Sequence, residues 1–261
     1  AAFLFQGDVT MSESMRVWTE ISFNVAYLIV VWWMVALMTV RMDAVAPDDR
    51  RVAKRILWAF ALLAIGDAGH VGFRVLAYAL GGLEATPVVL GTPLSLVGLG
   101  ALATAVTVTF FYVLVLDVWR VRFHRRYGWF EYLLLTAASV RLLVMMLPQN
   151  AWDSVVPPQP WSTIRNIPLM VLGLGAAYLI VRDARAAHDR TFTWIGAMIL
   201  VSYACYTPVI FFVQQNPLVG MLIIPKTLAY VAIALLAYQG LWRSGEARVA
   251  RRDFAERSVR F

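Results

Sequence analysis

Ionisable side chains occur in this chain inside segments that are otherwise apolar. Asp67, His70 and Arg74 follow one another at spacings i, i+3 and i+7, which places them on one face of a helix. A carboxylate, an imidazole and a guanidinium on one face can exchange protons with a substrate or bind an anion. Glycines that let a neighbouring helix approach closely lie among them, namely Gly66, Gly69 and Gly72.

Further basic residues stand in apolar surroundings, at Arg141, Arg165 and Lys226. A charge at the centre of a bilayer costs at least about 2.5–3.5 kcal/mol, so such residues face the interior of a helix bundle and by default mark a functional site. Polar residues in the same apolar segments complete the set of candidate site residues: Glu20, Asn24, Asn166, Tyr203 and Tyr206.

The composition indicates that membrane helices position these side chains. Of the 261 residues, 61% are hydrophobic and only 15% are charged, whereas soluble domains have about 45–50% apolar and about 25% charged residues. A membrane span needs about 20 mostly apolar residues. Seven segments meet this requirement, at roughly 18–40, 56–80, 88–116, 130–147, 164–181, 192–214 and 218–242. The predicted fold is therefore an all-α bundle of seven transmembrane helices.

Lysine and arginine are distributed unevenly between the predicted loops. Of the 23 basic residues, 18 follow spans 1, 3, 5 and 7, and only Arg16 lies on the other side. Because basic residues are retained in cytoplasmic loops, the N-terminus is predicted outside and the C-terminus in the cytoplasm. The Ala-, Val- and Arg-rich composition favours a bacterial plasma membrane. The net charge of +7 then belongs to a cytoplasmic surface that faces anionic lipids, and no nucleic-acid partner is predicted.

Both ends of the chain differ from the membrane domain, which is predicted at 11–243. Residues 1–10 contain Leu4-Phe5-Gln6-Gly7, which looks like a protease-site scar, so they are interpreted as an expression-tag remnant before Met11. Residues 244–261 are interpreted as a basic cytoplasmic tail. The single cysteine, Cys205, excludes an intrachain disulfide.

The candidate site residues concentrate in the outer half of the predicted bundle. Four basic side chains face two acids there, which favours a pocket for a small or lipid-like anionic ligand, used in sensing or transport. Prolines that kink helices lie near this depth in spans 5, 6 and 7, at Pro168, Pro208 and Pro225.

An intramembrane enzyme is the first alternative. Asp67 and His70 would act as an acid–base pair on a lipid, with an arginine or Lys226 stabilising developing negative charge, in a hydrolase or isomerase without a cofactor. His124 and His188 fall in cytoplasmic loops. A multi-histidine zinc site like that of seven-helix ceramidases is therefore not predicted, and no metal is expected.

A retinal protein is the second alternative. The segment Lys226-Thr227-Leu228-Ala229-Tyr230, in the middle of the last predicted helix, resembles the lysine region of animal opsins. The resemblance implies retinal bound to Lys226 as a Schiff base. Span 3 has no acidic residue before Asp117, so Asp67 would serve as the counter-ion.

Overall fold

The computed structural model describes residues 2–89, 92–93 and 95–243, and it describes side chains from Ile21 onward except those of 88–89, 92–93 and 217. The predicted tail at 244–261 lies outside the described residues. Within the described residues, seven α-helices form the bundle: α1 (Ala2–Val40), α2 (Arg50–Ala79), α3 (Leu96–Arg122), α4 (Trp129–Met145), α5 (Trp161–Ala186), α6 (Arg190–Phe212) and α7 (Ile223–Ala237).

Shorter elements connect or extend these helices. Two strands, β1 (Val88–Val89) and β2 (Thr92–Pro93), pair antiparallel between α2 and α3. A π-helical segment, Tyr238–Arg243, continues α7. Short 3₁₀ segments lie at Met42–Ala44, Pro47–Asp49, Pro148–Asn150 and Pro217–Leu222.

In the part of the chain that the structure describes, six helical segments are long and apolar enough to cross a membrane. They are Ile21–Val40, Pro47–Ala79, Leu96–Arg122, Trp161–Ala186, Arg190–Phe212 and Leu218–Arg243. The remaining helix, α4, has 17 residues. The prediction of a helical bundle with several membrane-spanning helices is therefore confirmed.

The helix boundaries differ from the predicted spans most clearly at the third one. The sequence predicts this span at 88–116, but α3 begins at Leu96 and ends at Arg122. Pro93 cannot donate a backbone hydrogen bond, and the Ser95 side chain caps the helix by accepting from the backbone N–H of Gly98 at 3.1 Å. At the other end, the hydrogen-bonding of Arg120 and Arg122 to carboxylates lets the helix continue past the apolar run.

The helices pack in a ring in chain order, which α1 closes against α7. The most extensive helix–helix contact is between α2 and α3, where a Cβ atom at Gly66 would overlap the Thr107 hydroxyl. A Cβ at Gly100 would lie 2.9 Å from the Cα of His70. A Cβ at Gly72, by contrast, would have no neighbouring atom within 4 Å, so this glycine does not serve a close helix approach.

One end of the bundle, here called the basic end, carries the end of α3, the start of α6 and the end of α7. Arg122 clamps three elements there. Its Nη1 lies 2.5 Å from Asp49 Oδ1, before α2, and its Nη2 lies 2.8 Å from Asp189 Oδ2, before α6. An open cavity of about 510 Å³ adjoins this clamp between α3, α6 and the π-helical segment.

Candidate functional site

Side chains from four helices lie near one another at the carboxylate of Asp67. Asp67 lies on α2, is partly buried, and accepts a hydrogen bond of 2.8 Å from the Tyr27 hydroxyl of α1. The side chains of Thr104 on α3 and Lys226 on α7 lie within electrostatic range of the same carboxylate. These four residues are called the Asp67 group. Because its members come from α1, α2, α3 and α7, it can form only when the bundle is assembled.

Lys226 is held between aromatic rings. Its Nζ lies 4.4 Å from the ring centroid of Tyr206 on α6 and 5.6 Å from that of Tyr230 on α7. Ring faces attract a cation at these distances, and the attraction is stronger away from water. Lys226 is therefore stabilised by two π faces and by the electrostatic field of Asp67.

Tyrosines connect Lys226 with a second polar cluster. The hydroxyls of Tyr112 and Tyr230 are 2.8 Å apart, and the Tyr203 hydroxyl donates to the backbone carbonyl of Leu169 on α5 at 2.9 Å. The hydroxyl of Tyr206 and those of Tyr203 and Tyr230 also lie within electrostatic range of Arg141 on α4. The predicted site residue Tyr206 thus contacts Lys226 through its ring and lies near Arg141, and Tyr203 lies near Arg141 as well.

Arg141 and Arg165 form the centre of this second cluster, called the Arg141 group with Asn150, Trp152 and Asn166. Arg141 is 2% exposed and Arg165 is 7% exposed. Arg141 Nη1 donates across to α5, to the backbone oxygen of Arg165 at 3.1 Å and to Asn166 Oδ1 at 3.2 Å. Arg165 lies 4.3 Å from the ring centroid of Trp152, and its Nη1 donates to Asn150 Oδ1 at 3.4 Å.

The Arg141 group has positive charge without a matching acid. Among the described residues, the ion pairs lie elsewhere, and no carboxylate is within ion-pair distance of Arg141 or Arg165. The hydrogen-bond acceptors of both guanidinium groups are neutral carbonyl and amide oxygens. The Nε of Arg141 is buried and donates to no protein atom in the described part of the chain. One N–H of this guanidinium therefore lacks a hydrogen-bond acceptor among the described atoms.

Three other predicted site residues with described side chains, His70, Arg74 and Asn24, lie on α1 and α2 near the Asp67 group. His70 is partly buried, and its Nδ1 has no hydrogen-bond partner among the described atoms. Arg74 is partly buried and within electrostatic range of His70. Asn24 is partly buried on α1, one helical turn before Tyr27. The side chain of Glu20 lies outside the described part of the chain.

Sequence reasoning missed several side chains that the structure places in these groups. Tyr27 follows Glu20 and Asn24 at i, i+4 and i+7, so the polar face of α1 could have identified it. Thr104 carries no such signal, because threonine is common in membrane helices and this one also donates to the backbone oxygen of Gly66. Asn150 and Trp152 lie in a connection between helices, where periodicity does not apply.

Comparison of the chain with protein-family models, with curated proteins and with solved structures gives no match. The functional interpretation therefore rests on the side chains themselves. Within the described residues, no group of three or more His, Cys, Asp or Glu side chains is arranged to hold a metal ion. Two groups are chemically distinctive in the described part of the chain. One is Lys226, which lies against two tyrosine rings and within electrostatic range of Asp67, and the other is the pair of buried arginines Arg141 and Arg165.

Proposed function

We propose that this chain is a membrane protein that binds a small or lipid-like anionic ligand at the Arg141 group, for sensing or transport. The observation that carries the proposal is Arg141, which is 2% exposed and has an unused buried Nε. Among the described residues, no carboxylate lies within ion-pair distance of this side chain.

The physical reason is the cost of an uncompensated buried charge. Removing a guanidinium from water costs several kcal/mol even after relaxation, and neutral acceptors recover only part of that. A carboxylate or phosphate would supply the missing charge and would accept from the guanidinium in the two-pronged geometry that arginine favours. Arg165 brings a second cation to the same place, and Tyr206, whose ring faces Lys226, lies within electrostatic range of both arginines.

The proposed topology has seven spans, with α4 as the fourth crossing and the basic end in the cytoplasm. The distribution of basic residues supports it, since every loop at the basic end contains arginine. The ligand site then lies in the outer half of the bundle of a bacterial plasma-membrane protein. Cysteine labelling tests this orientation. Single cysteines are introduced at the exposed residues Asp153 and His188 in a Cys205→Ser background, and a thiol reagent is added from outside intact cells. Reaction at 188 alone would reverse it.

Native mass spectrometry of the detergent-purified protein tests the binding proposal. We expect a reproducible added mass on the wild type that is released as an anion and is lost in Arg141→Gln. The exposed arginine Arg126 supplies the matched control, and Arg126→Gln should keep the added mass. Two results together would contradict the proposal. The wild-type protein would carry no anion, and no carboxylate or phosphate amphiphile would shift its thermal unfolding.

Lys226 supports a second candidate, a Schiff base with an apolar aldehyde such as retinal. Its amine lies against two tyrosine rings and within electrostatic range of Asp67, whose carboxylate would balance the charge of a protonated imine. The amine and the aldehyde condense to an imine and release water. Incubation with retinal should then give a visible absorption band in the wild type and none in Lys226→Ala. Equal spectra of the two proteins would exclude this candidate.

The enzymatic alternative has less support from the geometry. Asp67 accepts its hydrogen bond from Tyr27, and His70 Nδ1 has no partner among the described atoms, so an Asp67–His70 acid–base pair is not assembled. A lipid-turnover assay decides it. Product formation that Asp67→Asn abolishes while ligand binding persists would favour the enzyme.

A further inference from the structure

We infer that the cavity at the basic end binds a terminal phosphate group, carried either by a lipid head group or by a soluble metabolite. This site is separate from the Arg141 group and goes beyond the proposed function. Three observations carry the inference: the volume of the cavity, the side chains in its lining that have no partner in the described part of the chain, and a lining acid whose oxygens are already bonded.

The walls of the cavity are elements that the bundle holds in place. Phe123, directly after α3, packs edge to face against Phe192 of α6, with 5.9 Å between the ring centroids. Gly240 of the π-helical segment lies so close to α6 that a Cβ atom would overlap the side chain of Thr191. Trp242 of the same segment is fully buried and donates from Nε1 to a backbone oxygen of α1 at 2.9 Å. The volume of about 510 Å³ lies within the roughly 300–1,000 Å³ of small-molecule sites.

Three side chains in the lining have hydrogen-bond donors that the protein does not use. They belong to His188, Arg190 and Thr191, and none of them makes a side-chain hydrogen bond or an ion pair with the described residues. His188 and Arg190 are exposed, and Thr191 is partly buried. A terminal phosphate has three acceptor oxygens and a charge of about −1.5 to −2 at pH 7. Its oxygens therefore match a guanidinium, an imidazole and a hydroxyl.

The acid in the lining is already neutralised by protein donors. Asp189 Oδ1 accepts from the backbone N–H of Phe192 at 3.1 Å, and its Oδ2 accepts from Nε and Nη2 of Arg122 at 2.9 and 2.8 Å. Asp49, which is not part of the lining, is paired with Nη1 of Arg122. Among the described lining residues, Arg122 and Arg190 stand against Asp189 alone, which gives a net charge of +1 with His188 neutral. The charge left without a partner is that of Arg190.

The remaining lining and its surroundings suit the rest of such a ligand. The rings of Phe123 and Phe192, together with Ala187 and Leu241, offer apolar contacts to a carbon skeleton attached to the phosphate. Trp194 is 58% exposed and lies one helical turn after Arg190, as an anchor at the membrane surface does. The cavity is open, so a lipid head group and a soluble molecule can both reach it. In the proposed orientation it opens on the cytoplasmic side.

Thermal unfolding of the full chain in lipid nanodiscs tests the inference. The soluble probe is glycerol 3-phosphate, and the lipid probe is phosphatidate, which carries the same phosphate on the same glycerol carbon. One set of nanodiscs contains phosphatidylcholine alone, which has no terminal phosphate, and a second set contains phosphatidate as a minor component. We expect glycerol 3-phosphate to raise the Tm in the first set along a saturation curve, because a ligand that binds only the folded state stabilises it. Sodium chloride at the same ionic strength should not reproduce the curve.

Variants of the lining locate the site. Arg190→Gln should weaken binding of glycerol 3-phosphate by about tenfold or more, and Thr191→Val, which keeps the side-chain shape, by roughly two- to tenfold. The matched control is Arg126→Gln, which removes an exposed arginine at the same end that is not part of the lining. It should leave the dissociation constant unchanged, and so should Arg141→Gln.

The two membranes identify the source of the phosphate. If the ligand is a lipid, phosphatidate should raise the Tm in an Arg190-dependent manner and remove the response to glycerol 3-phosphate. If the ligand is soluble, glycerol 3-phosphate should bind equally well in both membranes.

Other results would overturn the inference. Equal dissociation constants for Arg190→Gln and Arg126→Gln, or no response to either probe beyond that to sodium chloride, would exclude the phosphate site and leave the proposed function at Arg141 intact. Weaker binding of glycerol 3-phosphate in Arg141→Gln, with normal binding in Arg190→Gln, would assign the probe to the Arg141 group instead.

Discussion

Replacing Arg122 by glutamine should release the clamp at the basic end and destabilise the bundle. Arg122 makes two ion pairs, with Asp49 at 2.5 Å and with Asp189 at 2.8 Å. The arginine side chain is 26% exposed and the acids are 12% and 11% exposed, so each pair lies between the surface and buried limits. Its guanidinium also lies 5.1 Å from the ring centroid of Phe192.

The expected loss follows from these contacts. Each partly buried, charge-assisted pair contributes about 1 kcal/mol after allowance for solvent screening. The cation–π contact adds about 0.5–1 kcal/mol. The total is about 2.5–3 kcal/mol, which corresponds to a fall in Tm of roughly 5–12 °C for a protein of this size.

Thermal unfolding in detergent, followed by intrinsic fluorescence, measures this loss. Arg125→Gln is the control, because Arg125 is 53% exposed and its contact with Asp183 is 3.3 Å long. It should lower the Tm by less than about 4 °C, since exposed pairs contribute about 0–1 kcal/mol. If Arg122→Gln lowers the Tm no more than Arg125→Gln does, the clamp does not stabilise the bundle.

Two further predictions concern packing and titration. In Gly173→Ala, the new Cβ would overlap the buried Tyr203 hydroxyl, so the free energy of unfolding should fall by about 1–3 kcal/mol. Gly72→Ala is the control in the same thermal assay. It has open space around the new Cβ and should be neutral or stabilising. Burial and the charge of Asp117 raise the pKa of Tyr127 to about 12. A pH titration followed by tyrosinate absorbance should show a lower pKa of Tyr127 in Asp117→Asn. An unchanged pKa would contradict the contribution of the Asp117 charge. Because the unfolded pKa is about 10, the contribution of Tyr127 to stability should be complete below pH 10 and lost as the pH rises towards 12.

The sequence predicts a helix wherever an apolar run is long enough to span the bilayer. The bilayer core holds no water, so a single spanning segment must satisfy its own backbone hydrogen bonds, and an α-helix does this. It misplaces the start of α3 because residues 88–95 are apolar as well, and only the turn geometry at Pro93 and Ser95 shows where the helix begins. Arg141 and Arg165 could be singled out, since charge in an apolar segment is conspicuous.

Their environment could not be predicted in the same way. The bond between Tyr27 and Asp67 depends on how α1 and α2 are rotated about their axes, and many rotations satisfy the same apolar pattern. The segment Pro148–Trp152, which follows α4, has no period to detect, so nothing in the sequence predicts the hydrogen bond from Asn150 to Val144 or the contact of Trp152 with Arg165. Those contacts arise from tertiary packing.

The shortness of α4 has a consequence for the membrane around it. Its 17 residues, at about 1.5 Å each, extend about 26 Å, less than the hydrocarbon thickness of about 30 Å. In the proposed topology, the lipid beside α4 must become thinner, or the turn at Pro148–Asn150 must enter the apolar layer. A thicker bilayer would therefore strain the chain next to Arg141, and membrane thickness itself becomes a variable that acts on this part of the protein.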